Sequence, residues 1–313
     1  MGMQEKMHDD FLAAGGMEKG ALSQPLIEVR ELSYSFGDKA VLNQVSFLVE
    51  KGEIVGLLGP SGAGKTTLVH LLTGQLAPKS GSIRIAGAGR EETKAGRGGK
   101  KTAANQTAMG IMMDHFGLYE RLSVWDNLKI FAKLYQVPVE RIDFLLKKAE
   151  LFSEKKTLVG RLSKGMRSRV NFCRALLKQA EILFLDEPTS GLDPATTAKI
   201  HELILEQKNA GATIFLTTHN MHEAGKICDS ILLLNEGKIV ERGKPGELCR
   251  KYNLENKITV ILKDGSCQIL HSDGGSAKKM AEWMRTGELV SVHSSEPDLE
   301  QVFLHLTGKE LNV

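Results

Sequence analysis

This 313-residue chain has only four cysteines, Cys173, Cys228, Cys249 and Cys267, and no two of them stand in a C-x-x-C spacing. That scarcity speaks against a disulfide frame or a cysteine zinc site and fits a reducing compartment. Long apolar runs are missing as well. The longest, such as Ile231-Leu232-Leu233-Leu234, have the length of buried strands, well short of the ~18 residues that cross a bilayer. Near the N-terminus the one apolar stretch, Phe11-Leu12-Ala13-Ala14, is too short for the core of a signal peptide. The chain is therefore expected in the cytosol. Nor is there a surplus of one sign of charge: 41 Lys and Arg face 38 Asp and Glu, a net +3. A dedicated nucleic-acid binder would concentrate basic residues on one face, so no nucleic-acid partner is expected. What remains, 42% hydrophobic and 25% charged, is ordinary for a globular protein with length enough for one large domain or two smaller ones.

Residues 1–24 mix Gly, Met and charge without periodicity and read as a flexible leader, with order beginning near Pro25. Strands are expected at Leu26–Leu32, Val41–Val49 and Ser82–Ile85, with Gly37-Asp38 as the turn between the first two. From Gly87 to Thr107 the chain is poor in apolar residues and carries Arg97-Gly98-Gly99-Lys100-Lys101. Such a run could bind RNA or lipid head groups, but Glu91 and Glu92 dilute its charge, and a solvated surface loop is the plainer reading. Gly110–Met113 resumes as a buried strand. Ser123-Val124-Trp125-Asp126, a capping box with Asp in place of Glu, opens a helix to about Tyr135. Further helices are expected at Glu140–Phe152 and from Ser163. Short apolar strands then alternate with helices: strand Ile182–Leu185, helix Pro194–Asn209, strand Thr213–Thr217, a helix from Met221, and a hairpin of Ser230–Leu234 with Lys238–Arg242. That alternation predicts a mainly parallel sheet covered on both faces. From about Pro245 the pattern changes to helix, two strands across Asp264-Gly265, helix, strand and helix, a small α+β appendix.

The chain is organised around Gly59-Pro60-Ser61-Gly62-Ala63-Gly64-Lys65-Thr66, followed by Thr67. Ile54-Val55-Gly56-Leu57-Leu58 precedes it and Leu68-Val69-His70-Leu71-Leu72 follows, giving the order strand, glycine-rich loop, helix and the spacing G-x-x-x-x-G-K-[ST]. Glycines let a phosphate lie against bare backbone, and successive N–H groups at a helix N-terminus form an anion cradle. Lys65 can reach the β- and γ-phosphates, and the Thr66 hydroxyl can join a magnesium shell. The stretch predicts a nucleoside triphosphate site. Asp186 and Glu187 follow the strand Ile182–Leu185, at the sheet edge where α/β proteins bind ligands. The Asp suits magnesium, and the Glu can polarise a water aimed at the γ-phosphate.

With these residues in place the chain resembles the ATP-binding cassette family from roughly Leu26 to Gly243. Leu162-Ser163-Lys164-Gly165-Met166 is similar to the LSGGQ signature, and Asp186-Glu187-Pro188-Thr189-Ser190-Gly191-Leu192-Asp193 to the Walker B and D-loop run. Thr217-Thr218-His219 resembles the H-loop, and Phe36 stands where the family stacks an aromatic on adenine. The resemblance implies a P-loop NTPase α/β core over residues 25–244, with an antiparallel β subdomain and a helical subdomain at about 115–178, then an accessory α+β domain over 245–313. It implies ATP and Mg2+ as cofactors, the metal held by Thr66, Asp186 and Asp114. It also implies that Ser163 and Gly165 touch the γ-phosphate of a nucleotide bound by another subunit, so that two ATPase chains, identical or related, meet head to tail. Glu187 would be the general base, His219 its γ-phosphate-side partner, and Asp193 would line the seam. The tail Glu296–Gly308 is similar to the ending of drug- and antibiotic-export ATPases that drive integral-membrane permeases of the ABC-2 type, which would hold the chain at the inner face of the cell membrane. Three positions depart from the family: Asp114 where Gln is usual, Lys164 and Met166 in the signature, and Phe36 for Tyr. The alternatives are a soluble cassette ATPase acting on nucleic acid or ribosomes, and a regulatory subunit that binds nucleotide without hydrolysing it.

Overall fold

The computed structural model describes residues 25–86, 90–94, 109–113, 117–253 and 256–308. The leader 1–24, most of the Gly87–Thr107 segment and Asp114 lie outside them. The centre is a six-stranded sheet built from β3 (Ile54–Leu58), β6 (Met109–Met112), β7 (Ile182–Asp186), β8 (Thr213–Thr218), β9 (Ser230–Asn235) and β10 (Lys238–Gly243). Their order is β10-β9-β3-β8-β7-β6. Every pairing is parallel except the β9–β10 hairpin at one edge. All five residues of β3 and of β7 are buried, which is why these strands read as unbroken apolar runs.

The two faces of this sheet feed two cores by strict alternation. Ile54 and Leu58, Leu183 and Leu185, and Ile231 and Leu233 enter one; Val55 and Leu57, Phe184, Phe215 and Leu232 enter the other. The second core is closed by a four-stranded antiparallel sheet of order β2-β1-β4-β5, made from β1 (Ile27–Phe36), β2 (Lys39–Val49), β4 (Ser80–Ile85) and β5 (Arg90–Lys94). Phe47 of β2 stacks on Phe215 of β8 with ring centroids 5.8 Å apart. β5 departs from the solvated loop expected over Gly87–Thr107. Arg90–Lys94 has no apolar alternation, and its strand form comes from pairing with β4.

α1 (Lys65–Leu72) packs into the second core through Leu68, Val69, Leu71 and Leu72, while α2 (Val124–Leu134), α3 (Glu140–Lys148), α4 (Lys164–Ala175), α5 (Pro194–Asn209) and α6 (Met221–Ile227) cover the first. α4 crosses β6 so closely that a Cβ on Gly110 would stand 2.5 Å from the Ala175 carbonyl, a contact only glycine permits. α2 is capped as expected by Ser123, whose hydroxyl oxygen accepts from the Asp126 N–H at 3.0 Å. The box does not close: the Asp126 carboxylate takes the Ser123 hydroxyl itself at 2.6 Å. α3 stops at Lys148, four residues short of the expected Phe152. Cys173 and Cys228 are buried, and burial pushes both thiols up to about 12.

Beyond β10 come α7 (Pro245–Lys251), β11 (Lys257–Leu262), β12 (Cys267–His271), α8 (Gly274–Thr286), β13 (Leu289–Ser294) and α9 (Leu299–Thr307), the strands forming an antiparallel sheet of order β12-β11-β13. α9 starts with a complete capping box between Asp298 and Gln301. Its Leu299, Val302 and Phe303 belong to the same core cluster as Met221, Ala224 and Ile227 of α6. No helix among the described residues is long and apolar enough to cross a membrane.

Candidate functional site

The phosphate loop leaves the carboxyl end of β3 and enters α1. Gly62 and Gly64 have φ of +81° and +110°, a left-handed backbone that side-chain-bearing residues rarely adopt. A Cβ on Gly59 would lie 2.2 Å from the Leu234 carbonyl, so the loop is pressed against the end of β9. Ala63 is buried, Pro60 and Thr67 are half-buried, and Ser61, Gly62 and Thr66 are exposed at the mouth. Lys65 is only 7% exposed. Its ammonium donates to the carbonyls of Gly59 (2.8 Å) and Pro60 (3.3 Å) and lies 3.3 Å from Oε1 of Glu187.

Asp186 ends β7 and is 2% exposed. One carboxylate oxygen accepts from the Thr66 hydroxyl at 3.0 Å and the other from the Thr217 hydroxyl. Hard oxygen donors from Thr66 and Asp186 thus converge beside the phosphate loop, the donor set magnesium requires. Glu187 has φ +50°, an uncommon backbone for a residue with a side chain. Its N–H is fixed by both the carbonyl and the hydroxyl of Thr217, each at 3.1 Å. Its Oε2 lies 2.9 Å from Nδ1 of His219, the first residue past β8. Lys65, Thr66, Asp186, Glu187 and His219 therefore meet at the carboxyl ends of β3, β7 and β8. Phe36 stands half-exposed at the end of β1, edge-on to Tyr34 with centroids 5.0 Å apart.

Ser163, Gly165 and Asp193 form a separate group. Ser163 is the N-cap of α4, its hydroxyl oxygen accepting from the Met166 N–H at 3.2 Å. Asp193 caps α5 through Thr196, whose N–H and hydroxyl reach its carboxylate at 3.0 and 2.7 Å. These bonds hold the Asp193 carboxyl below its usual range. A Cβ on Gly165 would stand 3.1 Å from the Thr196 hydroxyl, so the starts of the two helices touch. Among the described residues no hydrogen bond joins Ser163 or Gly165 to the phosphate loop.

Sequence reasoning did not assign a role to Thr217, although a pair of threonines ending the apolar strand Thr213–Thr218 was a visible signal. Nor did it find the bond from the Thr189 hydroxyl to Glu223, which joins residues 34 apart in the chain.

A parallel sheet that gathers a phosphate loop, a Walker-type acidic pair and a histidine at one edge defines a P-loop nucleotide-binding protein of the cassette kind. Comparison with known proteins narrows the class. Residues 42–190 match the ABC transporter family. A fluoroquinolones export ATP-binding protein of Mycobacterium tuberculosis is 35% identical over 292 residues, covering 91% of this chain and 94% of its own. The Nod factor export ATP-binding protein I of a Rhizobium species is 31% identical over 322 residues, covering 93% and 99%. Among solved structures, the ATP-binding subunit of an ABC transporter aligns with TM-score 0.64 at 30% identity, over 73% of this chain and 94% of its own. cbiO1 of Clostridium perfringens, part of the ABC transporter complex cbiONQ, aligns with TM-score 0.62 at 29% identity, over 74% and 96%. The chain belongs to the ATP-binding subunits of ABC transporters and is an ATPase.

Proposed function

We propose that two such chains close head to tail over two ATP molecules and drive an exporter whose pore is a separate integral-membrane permease of the ABC-2 type. The observation that carries the catalytic half is the cluster of Lys65, Thr66, Asp186, Glu187 and His219 at one sheet edge. Lys65 exchanges the Pro60 carbonyl and Glu187 for the β- and γ-phosphate oxygens of ATP, while the backbone of Gly59–Thr67 cradles the phosphates. Thr66 and Asp186 would hold magnesium, with Asp114 added by sequence position alone; when bound, the metal offsets phosphate charge. Glu187, freed from Lys65 at Oε1 and steadied at Oε2 by His219, takes a proton from the attacking water. The water oxygen bonds to the γ-phosphorus as the bond to ADP breaks. Phe36 lies where it can stack on adenine.

The dimeric half draws on the separation of Ser163, Gly165 and Asp193 from the phosphate loop. α4 presents its N-terminus outward, fit for the γ-phosphate of a nucleotide held by a second chain. Export is supported by the names of the relatives, which export fluoroquinolones and Nod factor. For the permease, α2 leaves Ile130 and Leu134, the latter 70% exposed, side by side on one helix face. The residues from Pro245 onward are proposed as an accessory domain, and no nucleic-acid partner is included. The test is Glu187→Gln, which keeps the shape and removes the base. ATP binding should persist while steady-state hydrolysis falls by about 10²–10⁴-fold. Wild-type turnover in this variant would contradict the assignment.

A further inference from the structure

The residues just past Glu187 are held from two sides by groups with no part in the chemistry above. Ser190 N–H closes a turn on the Glu187 carbonyl at 3.2 Å, and Leu192 N–H does the same on Thr189 at 3.2 Å. From one side, Ser168 of α4 donates its hydroxyl to the Pro188 carbonyl at 3.1 Å. From the other, buried Thr189 donates to Oε2 of Glu223 at 2.6 Å, and Nε2 of His201 lies 3.5 Å from the same oxygen. Glu223 is on the first turn of α6. Its N–H is taken by Asn220, the residue after His219, at 3.1 Å, and Asn220 N–H is bonded to the Thr218 hydroxyl at 2.9 Å. The Thr189–Glu223 bond therefore closes a ring: from Glu187 through its turn to α6, back along α6 to His219, and across 2.9 Å to Glu187 again.

The bond is a strong one. Burial pushes the Glu223 carboxyl up, but the contacts from His201 and Thr189 more than offset this and leave it below the usual range. An ionised acceptor makes a hydrogen bond roughly twice as strong as a neutral one. It also opposes a defined distortion. Glu187 sits at φ +50°, and a turn released from its anchor would relax toward commoner backbone and carry the carboxylate with it. Displacement of a catalytic group by about 1 Å can cost on the order of 10²-fold in rate.

We infer that Thr189 and Glu223 are a positioning pair for ATP hydrolysis, fixing the base against His219 without touching the nucleotide. This rests on the reading of Glu187 as the base. The test is steady-state ATPase kinetics of the full chain carrying Thr189→Val, Glu223→Gln, both together, or Thr189→Ser, with Glu187→Gln alongside. Thr189→Val should lower kcat about tenfold and leave KM for ATP within about twofold, since the group acts on the transition state alone. Glu223→Gln should lower kcat about threefold, and the double variant should match Thr189→Val, because one broken bond cannot be broken twice. Thr189→Ser, which keeps the hydroxyl, should retain wild-type kcat. Losses that multiply in the double variant, a Ser variant as poor as Val, or a change in KM with kcat intact would overturn the pair. Undiminished turnover in Glu187→Gln would instead overturn the base itself, whatever the pair does.

Discussion

At the scale of single residues, the structure explains why some polar groups sit where apolar ones would be expected. Thr217 is the last residue but one of a fully buried strand, yet its hydroxyl serves Asp186 and Glu187 together. Glu53 is a second case, away from the site. Its carboxylate accepts from the Glu50 N–H at 2.6 Å and the Ser230 hydroxyl at 3.1 Å. Burial is the largest influence and raises its pKa above the ordinary 4.5, with Glu50 and Asp229 adding repulsion. A carboxyl whose folded pKa exceeds its unfolded value binds its proton more tightly when folded. Its contribution to stability is therefore complete below 4.5 and lost as pH rises through the folded value. Glu53→Gln should thus gain thermal stability relative to the wild type as pH climbs above 4.5 toward neutrality. Parallel melting-temperature curves for the two chains across that range would contradict the shift. Of the site itself, the sequence displayed every residue whose neighbours in the chain explain it: the glycine loop, the acidic pair, the threonine–histidine run. It did not display the bonds from Thr189 to Glu223 or from Ser168 to Pro188, because partners 34 and 20 residues apart leave no local pattern.

At the scale of elements, strands that alternate into two cores and helices with caps were legible because burial and capping impose their own periods. Pro194–Asn209 agrees at both ends, Asp193 being the cap and Pro194 the first helical residue. β5 was not legible, since Arg-Glu-Glu-Thr-Lys takes its form from a neighbouring strand rather than from its own pattern. α9 shows a different kind of surprise. Its sequence marks an amphipathic helix, but nothing in it says that the apolar face closes onto α6, the helix that begins two residues after His219. With Phe303 fully buried among Val302, Leu299 and the α6 residues, Phe303→Ala should destabilise the whole chain by about 3–5 kcal/mol in denaturant unfolding. A loss under about 1 kcal/mol would mean that α9 is only a dangling appendage.

At the scale of the whole molecule, the proposed dimer requires one chain to hold half of each of two sites. Its phosphate loop, Asp186, Glu187 and His219 lie at one sheet edge, and its Ser163, Gly165 and Asp193 at the adjoining starts of α4 and α5. Two defects on different chains should therefore be separable. Glu187→Gln removes the base from its own chain and leaves the signature good; Ser163→Arg spoils the signature and leaves the base good. Each variant alone should be inactive. Mixed in equal amounts, they should form dimers in which one of the two sites combines an intact base with an intact signature, restoring about a quarter of the wild-type sites. The measurement is ATPase activity of the two variants separately and then mixed at constant total protein. Recovery on mixing is the predicted result; activity no greater than the sum of the two inactive parents would contradict the claim.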